Sequence, residues 1–324
     1  VSFPNISDIV ATTIESRTRK IADNVTSNNA LLTWLESRGN IKPISGGSII
    51  YQELSFAENG NAGWYSGYDL LPVAAQDVIS AAQFNIKQAA CPVVISGLEQ
   101  LQNAGREQMI DLLDGRVSVA ESTMKNLIST GIYGDGSLNG NKSIDGLDVA
   151  VPITPTNLYG GINRGTWDFW KTKVSSTAVT SATVDATFNA MWSQLVRGSD
   201  RPDLIVVDNN MWSLYMASLQ AQQRFTDPGK ATRGFPTIKY MDADVVLDGG
   251  IQFVTSNKGA TTKTAYFLNT KYIHFRPHSQ RNFVPLSPNK RYAINQDAEV
   301  QILAWAGNLT MSGSAFQGRV IDTD

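Results

Sequence analysis

Few side chains in this sequence are of the kinds that do chemistry, and their spacing sets most of them aside. Histidine occurs twice, at His274 and His278. His274 alternates with apolar neighbours in Tyr272-Ile273-His274-Phe275, a strand pattern that marks it as structural. His278 has no Cys, Asp or Glu at metal-ligand spacing. The single cysteine, Cys91, excludes an internal disulfide and a Cys-rich metal site, and in Ala-Ala-Cys-Pro it reads as a small buried residue. There is no Gly-x-Ser-x-Gly elbow and no Gly-rich phosphate loop ending in Lys-Ser or Lys-Thr. Asp208 follows the apolar run Leu204-Ile205-Val206-Val207, where an α/β enzyme places a carboxylate at the end of a parallel strand. It could serve as a general base, but no nucleophile or second carboxylate stands near it in sequence. The bland alternative makes Asp208 part of a helix start capped by Asn209. The Asp135-to-Asn141 run with Asp145 looks superficially like a calcium loop, yet it lacks the twelfth-position Glu and reads as a turn cluster. No catalytic residue, cofactor or metal is expected.

The elements behind these residues are organised around one stretch, residues 96 to 131. Ser96 with Glu99 has capping-box spacing. Leu98, Leu101, Met109, Leu112, Leu113, Val117, Ala120, Met124, Leu127 and Ile128 form a helical stripe, and Gly131 is the expected stop. A helix of roughly 34 residues would span about 50 Å. Gly105 and Gly115 weaken it, so tertiary packing must hold it. It suits an extended, flat subunit better than the wall of a compact enzyme.

Before it, Ile6, Ile9, Val10, Ile14 and Ile21 make a modest amphipathic stripe, with Arg17, Arg19 and Lys20 on its polar part. This is either a surface helix or an arm that packs on another subunit. A short helix, Ala30 to Ser37, follows Asn28-Asn29. Residues 49–56 and 78–86 read as two strands of a projection whose tip is rich in turn residues. Trp64, Tyr65 and Tyr68 on that tip are costly to leave in water. Either the tip folds back on its own core, or these aromatics dock on a neighbouring subunit. Trp167 and Trp170 are packing anchors within loops. Residues 182–254 read as an α/β block, and residues 264–305 as strands forming a sheet against the long helix. The tail from Gly307 reads as irregular and polar.

Composition narrows the classes. The 324 residues carry 27 Lys plus Arg and 29 Asp plus Glu, which argues against a dedicated nucleic-acid binder. Only 17% are charged, below the usual quarter, which fits surface buried against neighbours as well as a neutral monomer surface. A chain of this length forms two domains or one elaborated one. No apolar run is long enough to cross a bilayer, and the N-terminus lacks a secretory pattern.

The order of parts resembles the major capsid protein of tailed bacteriophages, with the Hong Kong 97-type shell fold. The resemblance is carried by Asn29-Ala30-Leu31-Leu32 through Ser45-Gly46-Gly47, by Gly131-Ile132-Tyr133-Gly134-Asp135-Gly136-Ser137, and by Pro202-Asp203-Leu204-Ile205-Val206. Phe267-Leu268-Asn269-Thr270, Gln296-Asp297-Ala298 and Trp305-Ala306-Gly307-Asn308-Leu309 extend it over nearly the whole chain. It implies an α+β fold with an N-terminal arm and short helix (1–44) and an extended loop (45–88). A peripheral domain (89–135 and 262–305) and an axial domain (136–261 and 306–324) complete it. The site residues it implies are inter-subunit contacts, Trp64, Tyr65 and Tyr68 on the loop tip and Ile9, Ile14, Arg17 and Arg19 on the arm. It implies a structural protein and no enzyme, assembling as pentamers and hexamers into an icosahedral shell around double-stranded DNA held without sequence specificity. Portal, scaffold and decoration proteins are the other implied partners. The implied location is the virion, after assembly in the host bacterial cytoplasm, with no membrane involved. Some family members weld subunits through a loop lysine and a neighbour's asparagine. Lys42 and Lys87 flank the loop here with no lysine between them, so no such weld is expected. An encapsulin-like compartment shares the fold, and a hydrolase built around Asp208 is the rival of another class.

Overall fold

The computed structural model describes residues 29–98, 106–219, 237–253, 263–286, 291–292 and 298–322. The first described element is helix α1 (Ala30–Ser37). Asn29 caps it by accepting a hydrogen bond from Leu32 N at 3.1 Å. Gly39 then turns the chain at φ 69°, a left-handed conformation that favours glycine. Strands β1 (Ile49–Ser55) and β2 (Ile79–Asn85) form the expected antiparallel hairpin, in register from Ile49 opposite Asn85 to Ser55 opposite Ile79. Ile50, Gln52 and Leu54 on one strand, and Ala82 and Phe84 on the other, are buried between exposed neighbours.

Strand β3 (Lys87–Ser96) precedes the long helix α2 (Arg106–Tyr133), whose 28 residues span about 42 Å. Ser96 ends β3, and the chain is helical at residues 97–98. Val117, Ala120, Met124, Ile128 and Ile132 are buried at the helical spacing of the sequence stripe. Gly131 does not stop the helix, which runs on to Tyr133. A Cβ at Gly131 would lie 3.4 Å from Ile144 Cδ1, so its missing side chain serves close packing instead.

A short helix α3 (Leu147–Ala150), a two-residue pair β4 (Leu158–Tyr159) and β5 (Ile162–Asn163), and strand β6 (Lys173–Ser176) follow. Then come α4 (Val184–Leu195), β7 (Leu204–Val207), α5 (Asn209–Leu219), β8 (Thr237–Tyr240) and β9 (Ala243–Leu247). The chain closes with β10 (Lys263–Leu268), β11 (Ile273–Pro285), β12 (Arg291–Tyr292), β13 (Ala298–Met311) and β14 (Gly318–Asp322).

Two sheets organise these strands. The six-stranded sheet has the order β6-β14-β10-β7-β9-β8. One face meets Phe188, Met191, Trp192 and Leu195 of α4, through Ile205, Val207, Phe267 and Val320. From the other face Leu204, Val206, Val246, Tyr266 and Leu268 enter the core that also holds the α2 stripe. Burial on both faces explains the uninterrupted apolar run of β7. The second sheet centres on β13, which pairs antiparallel with β3, β11 and β12.

Two expectations are corrected. The strands of 264–305 do not all join the sheet beside the long helix. β10 lies in the six-stranded sheet between β14 and β7, where its run Ala265-Tyr266-Phe267-Leu268 is buried throughout. The tail is not irregular, because β13 extends to Met311 and β14 is buried along its length. Its buried polar residues find partners inside. Arg319 Nη1 donates to Asp148 Oδ1 at 2.6 Å, and Gln317 Nε2 donates to Asn269 O at 3.1 Å.

Candidate assembly site

Asp208 is buried, and its carboxylate is fully used by the backbone. Oδ1 accepts from Met211 N at 2.7 Å and Oδ2 from Thr264 N at 2.9 Å. Asp208, not Asn209, is therefore the side-chain cap of α5, and it also ties that helix to β10. Burial raises its pKa to about 6, against the lowering effect of the backbone N–H donors. His274 is buried in β11, and burial followed by the nearby charges of Lys42 and Arg276 lowers its pKa to about 4. His278 accepts a local bond from Gln280 N at 3.1 Å. Cys91 is only half-buried. Among the described residues, no group of three or more His, Cys, Asp or Glu side chains is arranged to hold a metal ion. Among them too, no helix is long and apolar enough to cross a membrane.

The hairpin shows a contrast between its stem and its tip. The stem is seated on the loop around β4 and β5. Gln83 N donates to Gly160 O at 2.9 Å. Gly160 has φ 59°, and a Cβ there would come within 2.9 Å of Ala82 Cβ, so both its backbone and its contact require glycine. Phe84 meets the Tyr159 ring edge-on at 5.2 Å, and Tyr159 stacks on Trp170 at 6.0 Å. From the other side, Gln52 Oε1 accepts from Arg276 Nη2 at 2.8 Å. Among the described residues, the aromatic side chains of the tip have no such support. Trp64 and Tyr68 are each 106% exposed and Tyr65 is 68% exposed. Leu70, Leu71 and Val73 are exposed beside them in sequence. Exposed apolar patches of this kind are a common feature of interaction surfaces in general. Trp170 is the buried anchor the sequence suggested, whereas Trp167 is half exposed and meets Phe56 at 6.4 Å.

Two buried polar nodes escape sequence reasoning. Arg164 lies under the stem, wholly buried and without a carboxylate partner among the described residues. It donates to the carbonyls of Trp170, Val149 and Ala150 and to Asn157 Oδ1 and Ser314 Oγ, at 2.6 to 3.1 Å. Its guanidinium lies 4.7 Å from the Tyr159 ring centre. The second node is Asp248. Its Oδ2 accepts from Tyr133 OH at 2.7 Å and Ala30 N at 3.2 Å, while Oδ1 accepts from Gly250 N at 2.9 Å. Asn29 Nδ2 donates to Ser129 Oγ at 3.1 Å, so the start of α1 is fixed to the end of α2 and to the segment after β9. The only hint in sequence is a lone Arg in the turn-rich run Gly160-Gly161-Ile162-Asn163-Arg164-Gly165. The arm residues Ile9, Ile14, Arg17 and Arg19 lie outside the described residues.

A long helix laid on a β13-centred sheet, an α/β layer beside it and a hairpin projecting from both make up an α+β fold. The chain has the Hong Kong 97-type fold of phage capsid subunits. It is similar to a chain of the cyanophage A-1(L) capsid asymmetric unit at 16% identity and a TM-score of 0.69, covering 91% of this chain and 92% of that one. A chain of the satellite phage P4 procapsid matches at 11% identity and 0.54, covering 94% and 97%. The SrpI encapsulin complex of Synechococcus elongatus matches at 7% identity and 0.50, covering 89% and 86%. No protein-family profile matches the sequence, and no curated protein does.

Proposed function

We propose that this chain is the major capsid protein of a tailed bacteriophage and has no enzymatic role. It assembles as pentamers and hexamers into an icosahedral shell around double-stranded DNA. The observation that carries this reading is the rooted hairpin with an exposed aromatic tip on a subunit of shell fold. In this reading Trp64, Tyr65 and Tyr68 are contacts to a neighbouring subunit, and Ile9, Ile14, Arg17 and Arg19 are contacts of the arm. Residues 1–44 are the arm and first helix, 45–88 the extended loop, and 89–135 with the later strands the peripheral domain. Residues 136–261 with the tail form the axial domain. Strand pairing supports moving residues 263–268 to the axial domain and keeping β13 up to Met311 in the peripheral one. Assembly proceeds through many modest contacts, so that misplaced subunits can leave, and a net charge of −2 limits repulsion between copies. DNA is held without sequence specificity. Portal, scaffold and decoration proteins are further partners, and the mature location is the virion after assembly in the host cytoplasm.

Electron microscopy of the chain expressed alone and separated by size tests this. Closed polyhedra, or rings of five and six, are the expected result. A species near 35 kDa that assembles neither alone nor with its scaffold would refute it. The similarity to an encapsulin favours a second reading, a compartment enclosing a protein cargo. Nuclease-protected DNA in the lumen of native particles separates the two. The hydrolase reading loses its ground with Asp208 closed by backbone donors, and Asp208→Asn is expected to change stability or assembly only.

A further inference from the structure

We infer that the cleft where β3, the middle of β11 and the segment before β1 meet is a binding site for a phosphate group. The cleft has a volume of about 600 Å³ and lies between Gly47 and Ser48, Gln88 of β3, and His278, Gln280 and Arg281 of β11. None of its lining residues is Asp or Glu, and Arg281 brings a full positive charge.

Strand β11 is built to present these side chains. Its pairing with β13 is regular up to Pro277 opposite Gly307 and resumes at Asn282 opposite Trp305. Residues 278–281 therefore stand opposite Ala306 alone and bulge out of the ladder. A second irregularity follows at Phe283, which is buried and held at φ 59°, a left-handed conformation costly for a bulky side chain. Bulges and strain kept together in one strand re-aim side chains, as they do beside binding sites.

The polar groups are set to donate. His278 Nδ1 accepts from Gln280 N at 3.1 Å, so the neutral ring carries its proton on Nε2. Arg281 Nη1 donates to Gln88 Oε1 at 3.1 Å. That bond holds the guanidinium beside the cleft, occupies the oxygen of Gln88 and leaves its amide N–H groups to donate. Donors thus come from three segments of chain. A tetrahedral phosphate accepts from several directions at once, and its bonds to a guanidinium are charge-assisted. A carboxylate accepts close to one plane, which donors spread over three segments do not match. The site does not depend on the shell reading. That reading supplies one source of the group, the phosphodiester backbone of enclosed DNA, and free phosphate is the other.

Isothermal titration of the full, unassembled chain with inorganic phosphate in chloride buffer tests the site. Saturable one-to-one binding with a Kd of about 1 mM or tighter is expected. Arg281→Gln and His278→Ala should each weaken it about ten-fold or more. Arg201→Gln, in a surface pair with Asp242, should leave it unchanged. Arg281 is exposed and His278 half-buried, so both variants should keep the wild-type circular dichroism. A short DNA duplex that displaces the phosphate identifies the phosphodiester backbone as the source, and a duplex without effect identifies free phosphate. No saturable binding of phosphate, or Arg281→Gln binding it like the wild type, overturns the inference. Neither result bears on assembly, which electron microscopy reads separately.

Discussion

Replacing Arg164 by Met tests whether the stem of the hairpin is held from beneath by a buried cation. Arg164 is fully buried and makes five hydrogen bonds, three of them to the backbone carbonyls of Trp170, Val149 and Ala150. Burial lowers its pKa to about 10, so it remains charged at neutral pH. Methionine fills much of the volume but donates nothing. Each carbonyl left without a donor costs about 1–3 kcal/mol, and the relief of no longer burying a charge offsets part of the sum. The net loss is about 3–5 kcal/mol, a large share of the 5–15 kcal/mol that holds a typical domain together. Arg164→Lys keeps the charge but supplies three donors for five acceptors, and should lose about half as much. Urea unfolding of the unassembled chain, followed by tryptophan fluorescence, reads the change, because Trp170 Nε1 donates to Tyr159 O in the same nest. The tip should also become more sensitive to protease, since Gly160 and Tyr159 carry the stem. A loss under about 1 kcal/mol for Arg164→Met would refute the argument, because three orphaned carbonyls cannot be so cheap.

The acid side of the stability curve should show two opposed slopes. His274 has a folded pKa lowered from 6.5 to about 4, so its contribution is present above 6.5 and is lost as pH falls toward 4. Asp208 has a folded pKa raised from 3.8 to about 6, so its contribution is greatest below 3.8 and declines as pH rises through 6. His274→Gln should flatten the fall in stability between pH 6.5 and 4, and Asp208→Asn should steepen it, as read by denaturant midpoints at half-unit pH steps. Gly146→Ala should destabilise by about 3 kcal/mol or more, because overpacking against backbone cannot relax. Its Cβ would collide with the carbonyl oxygens of Gly131 and Ile132, and failure to recover soluble chain checks this. Trp64→Ser and Tyr68→Ser should leave the melting temperature of the unassembled chain unchanged, since both rings are fully exposed in it. A drop of several degrees would show that the tip folds back on its own subunit in solution.

Local pattern carried much of the fold. The stripe of α2, the cap at Asn29, the alternation in the hairpin and the apolar run of β7 each follow from spacing within a few residues. Strand partners were not legible in the same way. β10 reads as a buried strand, but nothing local says that its neighbours are β14 and β7, which lie on either side of it in sequence and about fifty residues away. The tail misled because Asn308, Thr310, Gln317 and Arg319 look like surface residues. They are buried only because distant partners such as Asp148 and Asn269 satisfy them. At the candidate site, the sequence singled out the three aromatics of the tip and left open whether they fold back or dock, and the structure shows them exposed. The site's support was not legible, because Arg164 and Asp248 act through carbonyls and N–H groups that carry no sequence signature.

The Asp248 node has a mechanical consequence. Asn29 and Ala30, at the start of α1, are fastened to two separate elements, Ser129 on α2 and Asp248 beyond β9. Tension applied from the N-terminal side is thus divided at that point. One branch runs along the axis of α2, and the other enters the six-stranded sheet through a buried carboxylate bond, which is stronger than a neutral one. Peeling away the first helical turn requires both to yield together. A subunit tugged from that end would shift as one rigid piece, with helix and sheet moving in step, before α1 unravels.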